Sequence, residues 1–135
     1  MGKRVLIVDD EQDILDILEA ILSDAGYEVT KALGGREAIV LAQKNHPDLI
    51  MLDIKMPGMD GSQTTDILRN YSSTRDIPIV YLSSLVHKDD VEEDGHILGS
   101  RVGDMYFIPK TATPADILDI VQKNIKPSFS SDEKI

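Results

Sequence analysis

The chain has no cysteine, so neither a disulfide framework nor a thiolate site can carry its function, and a reducing compartment suits it. It also lacks a basic face. Its 24 acids outnumber 14 bases for a formal charge of −10, and the bases are not gathered, so a nucleic-acid duplex would repel this surface. The three histidines, His46, His87 and His96, show no ligand spacing and read as surface residues. No apolar run approaches the length of a bilayer span, and Met1-Gly2-Lys3-Arg4 leads straight into a strand-like run with no signal-type stretch before it. The expectation is a soluble, cytoplasmic protein with no membrane and no nucleic-acid partner. No internal repeat is visible. With 135 residues the chain is one domain's worth, expected over residues 1–126, followed by a polar, disordered tail over 127–135.

What is present is a set of short apolar runs that each end in a residue able to do chemistry. Val5-Leu6-Ile7-Val8 runs into Asp9-Asp10, and Leu49-Ile50-Met51-Leu52 into Asp53. Ile79-Val80-Tyr81-Leu82 runs into Ser83-Ser84, and Tyr106-Phe107-Ile108, through Pro109, into Lys110. Between them lie helical patterns. Ile14, Leu15, Ile17, Leu18, Ile21, Leu22 and Ala25 recur at helix spacing before the stop at Gly26. A second strand is expected over Tyr27 to Ala32, then a helix carrying Ala38, Ile39, Leu41 and Ala42 that closes at His46-Pro47. The third strand is expected from Asp48 to Asp53. The turn Pro57-Gly58-Met59-Asp60-Gly61 precedes a polar helix from about Ser62 to Tyr71.

Charge in Lys88 to Asp94 and the glycines Gly95, Gly99 and Gly103 weaken the pattern between Ser84 and Gly103, where one short or irregular helix is expected. The fifth strand follows from Asp104 to Pro109. Thr113-Pro114-Ala115-Asp116 then reads as a helix start, with threonine at the cap and proline at the first position. Strands alternating with helices imply right-handed crossovers and a parallel sheet covered on both faces. The predicted fold is therefore α/β: a flavodoxin-like, doubly wound, five-stranded parallel sheet of order 2-1-3-4-5 with five helices. In that order the crevice lies between strands one and three, at the carboxyl edge, where Asp9, Asp10 and Asp53 would meet.

Two carboxylates ~4 Å apart at an effective dielectric of about 20 repel by roughly 4 kcal/mol, so three acids in one crevice call for a proton or a cation. A hard divalent cation such as Mg²⁺ suits oxygen ligands and phosphate substrates. Asp10 and Asp53 are read as direct ligands and Asp9 as acting through water. Asp53, at the tip of the central strand, is the best-placed nucleophile toward a phosphorus donor. Lys110 could meet one oxygen of the resulting acyl phosphate and the Ser83 hydroxyl another. Movement of Ser83 would open space beneath the fourth strand for an aromatic of the fifth, Phe107 or Tyr106.

These residues resemble the receiver domains of two-component response regulators, from about Lys3 to Ile125. The matching pieces are Val-Leu-Ile-Val-Asp-Asp-Glu (5 to 11), Asp-Leu-Ile-Met-Leu-Asp-Ile-Lys-Met-Pro-Gly-Met-Asp-Gly (48 to 61), Ile-Pro-Ile-Val-Tyr-Leu-Ser-Ser (77 to 84) and Phe-Ile-Pro-Lys (107 to 110). The resemblance implies an aspartyl phosphate at Asp53 and Mg²⁺ on Asp9, Asp10, Asp53 and the Lys55 carbonyl. It further implies Ser83 as switch hydroxyl, Phe107 as switch aromatic and Lys110 as phosphate clamp. A sensor histidine kinase or histidine phosphotransfer protein would be the donor. A downstream protein target would read a face made by the fourth helix, fifth strand and last helix, and a phosphorylation-dependent homodimer stays open. The chemistry would be confined to the protein's own aspartate, so no enzyme acting on other substrates is expected. Two departures stand out: Thr111 follows the lysine where the family usually has proline, and the stretch from Ser83 to Lys110 is longer than usual.

Taken singly, each residue has a plainer reading. Asp9-Asp10 suits a helix-start cap, Asp53 a turn, Ser83 a backbone bond, Lys110 solvent and Phe107 the core. Their joint placement at strand ends favours the site. A haloacid-dehalogenase-type phosphatase would want an acid where Lys55 stands, and a flavodoxin-type binder a hydroxyl- and glycine-rich loop where acids stand. The remaining alternative is a pseudo-receiver that binds proteins without phosphorylation. The chain is expected to be a stand-alone receiver or one excised from a longer protein.

Overall fold

In the computed structural model, which describes residues 2–83, 106–109 and 112–125, the four apolar runs and the expected second strand become the strands of one parallel sheet. They are β1 (Arg4–Val8), β2 (Glu28–Ala32), β3 (Leu49–Asp53), β4 (Ile79–Ser83) and β5 (Tyr106–Pro109), in the order β2-β1-β3-β4-β5. Every pairing is parallel, so all five carboxyl ends share one edge, as the alternation of strands and helices predicts. Four helices occur among the described residues: α1 (Gln12–Asp24), α2 (Gly35–Asn45), α3 (Gly61–Arg69) and α4 (Pro114–Asn124). The helix expected within 84–103, the residues Lys110 and Thr111, and the tail over 127–135 lie outside the described residues.

β1, β3 and β4 read as unbroken apolar runs because each is covered twice. Side chains alternate across a strand, and the alternation sorts them into two cores. Val5, Ile7, Leu49, Met51, Val80, Leu82 and Ile108 pack against Leu15, Leu18 and Leu22 of α1 and Ile117, Ile120 and Val121 of α4. Leu6, Val8, Ile50, Leu52, Ile79 and Tyr81 pack on the opposite face with Ala38 and Ala42 of α2 and Leu68 of α3. All five residues of β3 and of β4 are buried, which fixes the central strands and whatever stands at their tips.

Local chemistry accounts for the element ends. Gly26, at φ 98°, donates to the Ser23 carbonyl at 3.0 Å while Tyr27 donates to that of Leu22 at 3.0 Å, a Schellman stop for α1. Tyr27 is thus used by the helix end, and β2 begins at Glu28 rather than Tyr27. β3 begins at Leu49 because Asp48 is spent on β1: its amide donates to the Arg4 carbonyl and its carboxylate accepts from the Arg4 amide at 2.9 Å. α3 starts earlier than expected, at Gly61, through a capping box. Asp60 accepts from the Gln63 amide at 2.9 Å and the Gln63 side chain accepts from the Asp60 amide at 3.0 Å. The expected threonine cap of the last helix is present, with the Thr113 hydroxyl accepting from the Asp116 amide at 3.2 Å.

Candidate functional site

Three strand tips deliver the acids and the hydroxyl. β1 passes into Asp9, whose amide still donates to the Ala32 carbonyl of β2 at 3.2 Å and so prolongs the ladder by one residue. β3 ends in Asp53 and β4 in Ser83. Asp9 is fully buried, Asp53 and Ser83 are each 4% exposed, and Asp10 lies at the exposed rim. Carboxylate oxygens of Asp9, Asp10 and Asp53 come within 4.8 Å of one another. Buried acids are rare unless a partner or cation compensates them, so this placement is costly without a chemical purpose.

The plainer reading of the acid pair is half realised. The N-cap of α1 is Glu11, whose side chain makes no capping bond; instead one oxygen of Asp9 accepts from the Glu11 amide at 2.9 Å. That bond holds the Asp9 carboxylate at the carboxyl edge and orients it, serving helix start and site together.

After β3 the chain turns back on itself. Ile54 donates to the Leu82 carbonyl at 3.3 Å, Met59 donates to that of Pro57 at 3.0 Å, and Gly58 takes φ 81°, a left-handed value that glycine adopts without strain. Gly61 then donates to the Ile54 carbonyl at 2.9 Å, locking the amino end of α3 onto the segment that carries Asp53. Lys55 sits in this loop with its side chain exposed.

Ser83 stands beside Asp53, since Asp53 pairs in register with Leu82 and Ser83 with Pro109. Pro109 directly precedes Lys110, which lies outside the described residues, as does the Tyr106 side chain. Phe107 is set back from the edge, half-buried, opposite Tyr81 in register, with the two rings 5.4 Å apart and tilted by 32°. Sequence reasoning missed two residues here. The Tyr81 hydroxyl lies 2.7 Å from the Thr65 hydroxyl of α3, a contact between a strand and a helix that no local pattern announces.

The donor set suits a small hard cation. Magnesium–oxygen bonds of about 2.1 Å put ligands of one shell at most about 4.2 Å apart, close to the spacing of the three acids, with water completing the octahedron. Among the described residues the donor set is oxygen-only, with no histidine, and the chain has no thiolate, which argues against zinc or copper.

The sequence model of the family described as "Response regulator receiver domain" matches residues 5–122. A curated relative from Cyanophora paradoxa, "Probable transcriptional regulator ycf27", is 38% identical over 133 residues, covering 96% of this chain and 52% of its own. The chain thus spans about half the length of that relative. Among solved structures, chemotaxis protein CheY4 of Vibrio cholerae superposes with a TM-score of 0.76 at 31% identity, over 93% of this chain and 100% of that one. The receiver domain of the sensor histidine kinase PA1611 from Pseudomonas aeruginosa superposes with a TM-score of 0.72 at 25% identity, over 91% and 97% of the two chains. That structure carries a magnesium ion coordinated in its active-site cleft.

Proposed function

The chain belongs to the response regulator receiver domain family, and from that membership we propose that it is a phosphoacceptor taking a phosphoryl group onto Asp53 in a Mg²⁺-dependent reaction. The observation that carries this reading is the convergence of the Asp9, Asp10 and Asp53 carboxylates, with the almost wholly buried Asp53 at the tip of the central strand. Asp9, Asp10, Asp53 and the Lys55 carbonyl are the residues proposed to hold the cation. When bound, it would orient the donor phosphate and offset the charge that builds up in transfer.

The residues divide the remaining work. A carboxylate oxygen of Asp53 attacks phosphorus in line; the new P–O bond forms as the P–N bond of a phosphohistidine breaks, and the imidazole leaves on the donor, a sensor histidine kinase or histidine phosphotransfer protein. Lys110 meets one oxygen of the acyl phosphate as an ammonium donor, and Ser83 meets another with its hydroxyl. Ser83 shares its face of β4 with Tyr81, two residues back, so its displacement acts on the ring stack that Tyr81 makes with Phe107. The signal leaves through β5 and the helices beside it to a protein target. The chemistry is confined to the chain's own aspartate, which makes it a signalling module acting in the cytoplasm rather than an enzyme on other substrates.

Proteins are the proposed partners, in keeping with the charge of −10. The ycf27 relative is a probable transcriptional regulator of which the chain covers 52%, so the absence of a nucleic-acid partner is proposed for these residues alone. No helix among the described residues is long and apolar enough to cross a membrane.

Titration with beryllofluoride and Mg²⁺, followed by amide NMR, tests the reading. Shifts at Asp53, Ser83 and Phe107 that require both components support a phosphoacceptor. An unresponsive spectrum would leave a protein-binding module that works without phosphorylation.

A further inference from the structure

Tyr81 stands at the junction of three pieces of the site. Its ring is 6% exposed and packs against that of Phe107, with the centroids 5.4 Å apart. Its hydroxyl lies 2.7 Å from the Thr65 hydroxyl. Proton counting settles the direction of that bond. Thr65 has one hydroxyl proton and donates it to the Gly61 carbonyl at 2.9 Å, so Thr65 accepts and Tyr81 donates. Gly61 in turn donates its amide to the Ile54 carbonyl at 2.9 Å, one residue after Asp53. A continuous polar path therefore runs from the Phe107–Tyr81 ring stack, through Thr65 and Gly61, to the backbone that carries the phosphoacceptor.

We propose that Tyr81 is the positioning residue for the switch aromatic: anchored to α3 through Thr65, its ring holds Phe107 in the resting place, and inward rotation of Phe107 works against the Tyr81–Thr65 bond. Tyr81 lies on the same face of β4 as Ser83 and is the register partner of Phe107, so displacement of Ser83 reaches Phe107 by way of Tyr81. A buried phenol whose hydroxyl already has an acceptor resists moving unless it finds another. The bond thus sets a threshold for switching and ties α3 to the output side. The inference rests on the phosphoacceptor reading for its role, and on the ring and hydroxyl geometry for its existence.

The experiment uses fluorine NMR of the full chain labelled with fluorophenylalanine, which reports on two positions, Phe107 and Phe129, told apart by Phe129→Leu. Tyr81→Phe keeps the ring and deletes the donor; Thr65→Val keeps the shape and deletes the acceptor. Without any ligand, the Phe107 signal is expected to move in the same direction in both variants and no further in the double variant, because all three lose one bond. With Mg²⁺ present, half-saturation by beryllofluoride is expected at an about three- to tenfold lower concentration in each variant, the scale of one modest hydrogen bond. Mere loss of structural integrity would weaken that response rather than strengthen it. Resting Phe107 signals that coincide with wild type in either single variant, or an unchanged or raised half-saturation, would overturn the inference. If the wild type itself ignores beryllofluoride, the phosphoacceptor reading falls, while the ligand-free comparison still decides whether Tyr81 holds Phe107.

Discussion

A Cβ placed on Gly61 would lie 2.7 Å from the carbonyl oxygen of Asp53 and 3.0 Å from Cα of Ile54, so the first residue of α3 and the proposed phosphoacceptor touch backbone to backbone. Both neighbours are main-chain atoms at the end of a fully buried strand, with little room to yield. Gly61→Ala is expected to cost about 1–3 kcal/mol of stability, as overpacking does, and to weaken magnesium binding by shifting Asp53. Denaturant unfolding and a magnesium titration on the same variant measure the two effects.

Asp10→Asn removes a rim carboxylate from the acid group without disturbing the buried pair. Magnesium affinity should fall by at least about tenfold, since even outer-shell partners of a metal carry that much. Isothermal titration checks it, with Asp24→Asn, an exposed acid at the far end of α1, as a control expected to bind like wild type.

Ser83→Ala separates taking the phosphoryl group from transmitting its arrival. Ser83 is buried beside Asp53 but is not an acid, so the beryllofluoride complex should still form. The amide shift at Asp53 is expected to persist while that at Phe107 shrinks to a small fraction of its wild-type size. An undiminished Phe107 response would remove the hydroxyl from the switch.

Lys31 on edge strand β2 pairs with Glu19 at 2.8 Å and Asp16 at 3.5 Å on α1. The hydrogen bond to Glu19 raises its pKa above the ordinary value, outweighing a lowering by desolvation. A raised folded-state pKa means that the stabilisation is complete below the unfolded value and disappears as pH climbs through the folded one. Lys31→Met should therefore lower the melting temperature at neutral pH, by a small amount because the pair is partly exposed, and the gap to wild type should close in strongly alkaline buffer. Thermal unfolding over a pH series reads this out.

The fold was legible because its signals are local and repeated. Apolar runs too uniform for one-sided burial marked β1, β3 and β4, and polar residues at their ends marked the carboxyl edge; the parallel sheet followed from crossover handedness, and its order from the flavodoxin-like type of doubly wound sheet. Boundaries slipped where a residue had two employers: Tyr27 closes α1 instead of opening β2, and Asp48 braces β1 instead of opening β3. The capping box at Asp60 and Gln63 has the acid-to-glutamine spacing of a helix start, a signal present in the sequence but masked by the Pro-Gly turn before it. The Tyr81–Thr65 bond could not have been found that way, because it joins a strand to a helix 16 residues earlier and depends on how α3 packs across the sheet. The acid group belonged to the legible part, since three strand-end aspartates can meet at one edge only if the sheet is parallel.

Incubation with a small-molecule phosphodonor, followed by intact-mass and peptide mass spectrometry, asks directly whether the three acids make Asp53 a magnesium-dependent phosphoacceptor. One phosphoryl group should be added only when Mg²⁺ is present, map to the peptide carrying Asp53, and vanish in Asp53→Asn. Incorporation that persists in Asp53→Asn, or that proceeds equally well in excess chelator, would contradict it.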